Sequence, residues 1–96
     1  MDDIDDIAFE WDNDKALSNL KKHNVSFDEG ATVFNDLLIA TMPDPDHSEQ
    51  ELRHIAIGMS ANGRLLVVVF AERDEKLRLI SCRKATKTET EFYEKL

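Results

Sequence analysis

The sequence predicts an α+β fold: a strand, two helices, a mostly antiparallel four-strand meander and a C-terminal helix. Three observations carry this. Helix-type periodicity with capping residues is confined to residues 12–34 and 86–96. Strand-type runs broken by turn signals occupy residues 37–84. A short alternating run, Ile7-Ala8-Phe9-Glu10-Trp11, precedes the first helix. At 96 residues the chain is expected to be a single domain, 1–96, with one core.

Ile7, Phe9 and Trp11 fall on one face of the first strand. Asp12 caps the first helix, where Ala16, Leu17 and Leu20 repeat at helical spacing. Lys21, Lys22 and His23 suit the negative end of its dipole, and Asn24 can take the left-handed conformation that ends it. Ser26-Phe27-Asp28-Glu29 is a capping box for a second helix that buries Phe27, Ala31 and Phe34. Leu37–Thr41 reads as a strand stopped by Pro43, and residues 43–52 form a polar loop expected to be mobile.

Arg53–Ser60 and Arg64–Glu72 read as a hairpin turning on Asn62-Gly63, the preferred pair for a two-residue type I′ turn. That register sets Ser60 opposite Leu65, Ile57 opposite Val68, Ile55 opposite Phe70 and Arg53 opposite Glu72. It gives a core face of Ile55, Ile57, Met59, Leu66, Val68 and Phe70. The other face carries His54, Ala56, Gly58 and Ser60, whose small side chains admit another backbone or a ligand. Arg73-Asp74-Glu75 turns the chain into Leu77–Lys84, and the capping box Thr86-Lys87-Thr88-Glu89 opens the last helix, with Phe92 and Leu96 on one side.

With 42% apolar and 33% charged residues, the composition is that of a soluble domain. No apolar run approaches the roughly 20 residues that span a bilayer, and the N-terminus is acidic where a signal peptide is basic, so a cytoplasmic location is expected. A single cysteine, Cys82, excludes an internal disulfide and a thiolate zinc cluster. Asp44, Asp46 and His47 are three hard ligands in one loop with no second cluster, so neither a metal nor another cofactor is expected. The net charge of −8 opposes nucleic-acid binding, but its distribution is uneven. Residues 1–14 hold seven acidic side chains and no basic one, whereas residues 53–87 hold eight basic against three acidic. A basic surface on an acidic protein is therefore expected.

The richest stretch is Arg78-Leu79-Ile80-Ser81-Cys82-Arg83-Lys84-Ala85-Thr86, a strand running into a helix start with cations where it leaves the sheet. Guanidinium groups within a sheet need solvent, a carboxylate or a phosphate as partner. Arg53 opposite Glu72 is an obvious candidate ion pair. Proton-transfer candidates are His23, His47, His54, Glu51 and Tyr93. Cys82 reads as a small core residue. If Glu72 pairs with Leu77, Arg83 shares the face of Arg53; one residue of slip turns it to the face of His54.

Several groups of residues together resemble the BrnT-type ribonuclease toxins. These are Phe9-Glu10-Trp11-Asp12 with Lys15, Asn19, Lys22-His23 and Val25-Ser26-Phe27, then Arg53, Ala56-Ile57-Gly58, Gly63-Arg64, and Arg78–Thr86 with Glu89 and Tyr93. The resemblance spans about residues 9–93. It implies a RelE-like fold and a metal-independent endoribonuclease of a type II toxin–antitoxin system, which cleaves mRNA and inhibits translation. It also implies a BrnA-type antitoxin, a toxin homodimer within a toxin2–antitoxin2 complex, and repression of the complex's own promoter. Departures from the pattern are the acidic extension, residues 1–8, and Gly30 and Cys82, where alanine is common.

Cleavage of that kind has the ribose 2′-OH attack the adjacent phosphate. It needs in-line positioning, charge stabilisation and proton transfer. On this reading the catalytic candidates are Arg53, Arg83, His54 and Tyr93, with Arg64, Arg78 and Lys84 as RNA phosphate contacts. The competing reading is a non-catalytic toxin homologue that acts only as a protein-binding module, which the acidic balance favours.

Overall fold

A computed structural model describes residues 7–45 and 51–96. The element order is β1 (Phe9–Glu10), α1 (Asn13–His23), α2 (Phe27–Ala31), a 3-10 turn (Thr32–Asn35), β2 (Ala40–Pro43), β3 (Arg53–Met59), β4 (Leu65–Arg73), β5 (Lys76–Lys84) and α3 (Lys87–Glu94). The five strands form one sheet in the order β1-β5-β4-β3-β2. All neighbours are antiparallel except β1, which runs parallel to β5. This is the α+β order expected from the sequence. The acidic extension falls mainly on residues 1–6 and the polar loop mainly on residues 46–50, which lie outside the described residues.

The caps form largely as their chemistry requires. Asp12 accepts from the Asp14 and Lys15 amides at 2.8 and 3.1 Å, and Asn24 ends α1 at φ 57°. The α1 face differs from expectation, however: Ala16 and Asn19 turn inward, leaving Leu17 and Leu20 67% and 44% exposed. Asn19 is the reason. Its amide donates to the Val25 and Cys82 carbonyls (2.9 and 2.8 Å) and accepts from the Cys82 amide (3.1 Å). The side chain thus pairs with β5 as a neighbouring strand would, and ties α1 to both the α1–α2 turn and the sheet.

The β3–β4 hairpin is one residue out of the expected register. Ser60 and Arg64 close it, with Ser60 N–H donating to the Arg64 carbonyl at 2.8 Å. Gly63 donates back to the Ser60 carbonyl at 3.0 Å and sits at φ +78°. This is the three-residue loop with a left-handed glycine, a common alternative to the two-residue turn. The Ser60 hydroxyl stabilises it by accepting from the Asn62 and Arg64 amides, both at 3.2 Å. Arg53 therefore lies opposite Ala71, Ile55 opposite Val69 and Ile57 opposite Val67.

A one-residue slip exchanges the faces of β3. The helix-facing side carries Ala56 and Gly58 with Leu66, Val68, Phe70, Leu79 and Cys82, and packs on Val25, Phe27 and Val33. Ile55, Ile57 and Met59 lie on the opposite face with Leu65, Val67 and Val69. The small residues expected to admit a backbone do so. An added Cβ on Gly58 would sit 3.2 Å from both the Val33 Cβ and its carbonyl oxygen.

The β4–β5 turn takes the two-residue form instead, with Asp74 and Glu75 at φ 52° and 66° between paired Arg73 and Lys76. A bulge follows at Val69/Phe70, where Ser81 and Leu79 are the partners and Ile80 is the extra residue. Glu72 does pair with Leu77.

Candidate active site

Paired residues on adjacent strands share a sheet face, so the register assigns the functional candidates directly. On the face opposite α1 and α2, one row runs Glu10, Arg78, Ala71, Arg53 across four strands. A second runs Ser81, Val69, Ile55, Met42, and a third Arg83, Val67, Ile57, Ala40. Arg53, Arg78 and Arg83 thus border one apolar floor. The rows of Arg53 and Arg83 are separated by about 13 Å, at roughly 3.3 Å per residue along β3.

The three arginines are engaged to different degrees. Arg83 is firmly held: its two terminal nitrogens each meet a Glu89 oxygen at 2.8 Å, and one also donates to the Lys84 carbonyl at 3.2 Å. Glu89 simultaneously closes the α3 capping box by accepting from the Thr86 amide at 2.8 Å. The Arg83 hydrogen bonds hold its carboxyl at about 2, against burial that would raise it. Arg78 makes a single contact to Glu10 at 3.2 Å, across the β1–β5 pairing. Arg53 is the least committed. Its Nε lies 3.9 Å from Glu51, beyond hydrogen-bonding distance, and this buried atom has no hydrogen-bond partner among the described residues.

Glu51 is drawn instead toward Arg73, at 2.7 Å, and the hydrogen bond from Arg73 lowers its pKa. Arg53 therefore has Glu51 as its carboxylate partner, rather than Glu72 as the simple hairpin register suggests; Glu72 pairs across the sheet with Leu77.

The remaining candidates lie elsewhere. His54 is on the helix-facing side, its ring stacked on Phe70 with centroids 5.4 Å apart, so it does not share a face with Arg53 or Arg83. Arg64 grips Glu29 with two nitrogens and also reaches the Asn24 carbonyl at 3.3 Å. Glu29, buried and held at about 2 chiefly by Arg64, also accepts from the Ser60 hydroxyl at 2.7 Å. The expected capping box of α2 is consequently half-made: Ser26 receives the Glu29 amide at 3.0 Å, but the Glu29 carboxylate points to the hairpin. Lys84 pairs with Leu66, on the opposite side from Arg83, and is exposed.

Tyr93, on α3, donates its hydroxyl to Asp36 at 2.5 Å, and this bond, with burial, pushes the phenol up to about 12. Burial raises the Asp36 pKa, but the Met59 amide at 2.7 Å and Tyr93 outweigh it, leaving the group below its ordinary value. Together with Arg83–Glu89, the Tyr93 hydrogen bond fastens α3 beside β3. Asp36 and Arg73 carried no functional signal in the sequence, because their roles depend on contacts between distant segments. Glu51, a proton-transfer candidate from the sequence, and Glu89, read there as a capping residue, gain their arginine partners only in the fold. Asp46 and His47 lie outside the described residues, and no cluster of three metal-ligating groups occurs among the described ones.

No curated protein matches the chain in sequence. Among solved structures, the crystal structure of the Brucella abortus ribonuclease toxin BrnT superposes with a TM-score of 0.64 at 26% identity, covering 84% of this chain and 99% of that one. The sequence profile of "Ribonuclease toxin, BrnT, of type II toxin-antitoxin system" matches residues 11–89. Helices α1 and α2, strands β2 to β5 and the three arginines that border the sheet face lie within that span, and the chain belongs to the BrnT family of ribonuclease toxins.

Proposed function

We propose that the protein is the toxin of a type II toxin–antitoxin pair and cleaves mRNA without a metal on the sheet face bordered by Arg53, Arg78 and Arg83. The observation that carries this is Arg53: a buried guanidinium N–H with no hydrogen-bond partner among the described residues, in one row with Arg78. The Arg53 side chain is 28% exposed, so a phosphate that shifts it can take up this donor, and the planar fork is suited to the charge of a phosphorane. Arg78 would hold a neighbouring phosphate. Arg83 becomes available when Glu89 is exchanged for substrate.

Proton transfer is harder to place on this face. Tyr93 has its proton directed at Asp36, and His54 faces the helices. Glu51, the carboxylate beside Arg53, is the proposed acceptor of the 2′-OH proton, and the resulting carboxylic acid or a water molecule returns a proton to the leaving 5′ oxygen as its bond to phosphorus breaks. Positioning and charge stabilisation then supply most of the rate.

The partner proposed is a BrnA-type antitoxin, bound in a complex with two toxins and two antitoxins. Expression of the chain should arrest growth and degrade transcripts, and co-expression of the antitoxin encoded beside it should relieve both. A folded product that leaves growth and transcripts intact contradicts the enzyme. The second reading, a non-catalytic binding module, draws support from the carboxylate found within 4.0 Å of each of the five arginines.

A further inference from the structure

Among the described residues every arginine lies within 4.0 Å of a carboxylate, and positive charge without such a partner resides on lysines. Two of these lysines, Lys15 and Lys22, lie seven residues apart on α1, hence on one stripe of the helix. The stripe borders the outer edge of β5. Among the described residues β1 pairs with β5 only at Leu77 and Arg78, so the edge from Ile80 onward has no strand beside it; Asn19 satisfies Cys82 there. Between helix and edge runs an open groove of about 210 Å³, lined by Lys15, Ser18, Lys22, His23, Ile80 and Ser81 with Asn19.

Resting on the ribonuclease reading above, we propose that this groove is a second RNA-binding site, which takes backbone phosphates of the strand whose cleavage occurs on the arginine-bordered face. Lysine ammonium groups are point charges suited to phosphate, and the Ser18 and Ser81 hydroxyls can donate to phosphate oxygens or exchange hydrogen bonds with a 2′-OH. Ser81 connects the two sites. It lines the groove and also belongs to the row Ser81, Val69, Ile55 that lies between those of Arg78 and Arg83. RNA leaving the groove over Ser81 therefore arrives on the floor of the candidate active site. On a chain of net charge −8, a cationic groove contiguous with that face offers a local route for RNA that the overall field does not. An acidic protein segment would meet the same lysines, but nothing would then require continuity with the arginine face.

The test uses the full chain and a labelled single-stranded oligoribonucleotide carrying 2′-O-methyl groups throughout, which cannot undergo 2′-OH attack. Lys15→Ala/Lys22→Ala should weaken binding about tenfold and flatten the slope of log affinity against log salt by about 1.4, at roughly 0.7 for each phosphate no longer neutralised. Lys15→Arg/Lys22→Arg should restore both. With unmodified RNA the alanine pair should raise KM far more than it lowers kcat. Unchanged affinity and salt slope in the alanine pair overturn the groove, as does failure of that pair to bind an acidic protein partner while RNA binding stays intact. A wild-type chain that binds the uncleavable strand but leaves unmodified RNA whole overturns the catalytic reading alone; one that binds no RNA overturns both.

Discussion

Gly30 and Cys82, the two positions read from the sequence as departures from the BrnT-type pattern, pack against one another. A Cβ built on Gly30 would lie 2.7 Å from the Cys82 Sγ, so the sulfur occupies the space that a methyl at position 30 would need. Both sit in the buried core between α2 and β5, and burial pushes the Cys82 thiol up to about 12, which leaves it inert. The two departures are thus one exchange of volume. Gly30→Ala alone should destabilise by about 1–2 kcal/mol, overpacking outweighing the better helix propensity of alanine. Cys82→Ala alone should cost about 1–2 kcal/mol for the space left behind. In the double variant each change supplies what the other lacks, and urea unfolding should give a favourable coupling of about 1–2 kcal/mol. Strict additivity would contradict the contact. The sequence marked both positions as unusual, but not that they meet, because they are 52 residues apart. Asn19 was hidden similarly. On a helical wheel it is a polar residue beside Lys15 and Lys22, and only the β5 edge turns it into a buried clamp.

At the scale of elements, capping chemistry was the most legible signal: Asp12, Asn24, Ser26 and Thr86 all stand where their side chains or backbones suggest. Turn type was the least legible. Asn62-Gly63 carries the strongest local signal for a two-residue turn, yet the Ser60 hydroxyl and its Glu29 contact favour closing the loop one residue earlier. The two-residue turn falls on Asp74-Glu75, which are not glycine and carry left-handed strain. Glu75→Gly should therefore raise stability by about 0.5–1 kcal/mol, the relief of strain exceeding the added freedom of the unfolded chain. Gly63→Ala should lower it by about 1 kcal/mol through backbone strain alone, since nothing lies within 4 Å of the added methyl. Thermal melting checks both. Equal signs for the two changes would contradict the assignment of the turns.

At the scale of the molecule, the sequence carried the order of elements and the basic character of the strand ends, but not the face on which the chemistry meets. The hairpin register moved by one residue and the bulge at Ile80 moved the next strand by another, so Arg53 and Arg83 still share a face. His54 did not follow them: the same shift turned it toward Phe70 and the helices. The face that remains has arginines, a carboxylate beside the least committed one, and an apolar floor partly roofed by α3 through Arg83–Glu89 and Tyr93–Asp36. Local hydrophobic pattern could not choose between the faces, since both carry Val and Leu on β4.

The most direct test of this account is cleavage of single-stranded RNA, in the presence of a chelator, by the wild-type chain and by Arg53→Ala. The account predicts metal-independent cleavage by the wild type and a loss of about 10² to 10³-fold in kcat for the variant, comparable with removing one donor to a developing oxyanion. Thermal stability and antitoxin binding should be retained. Cleavage by Arg53→Ala at the wild-type rate, or a folded wild-type chain that does not cleave RNA at all, would contradict it.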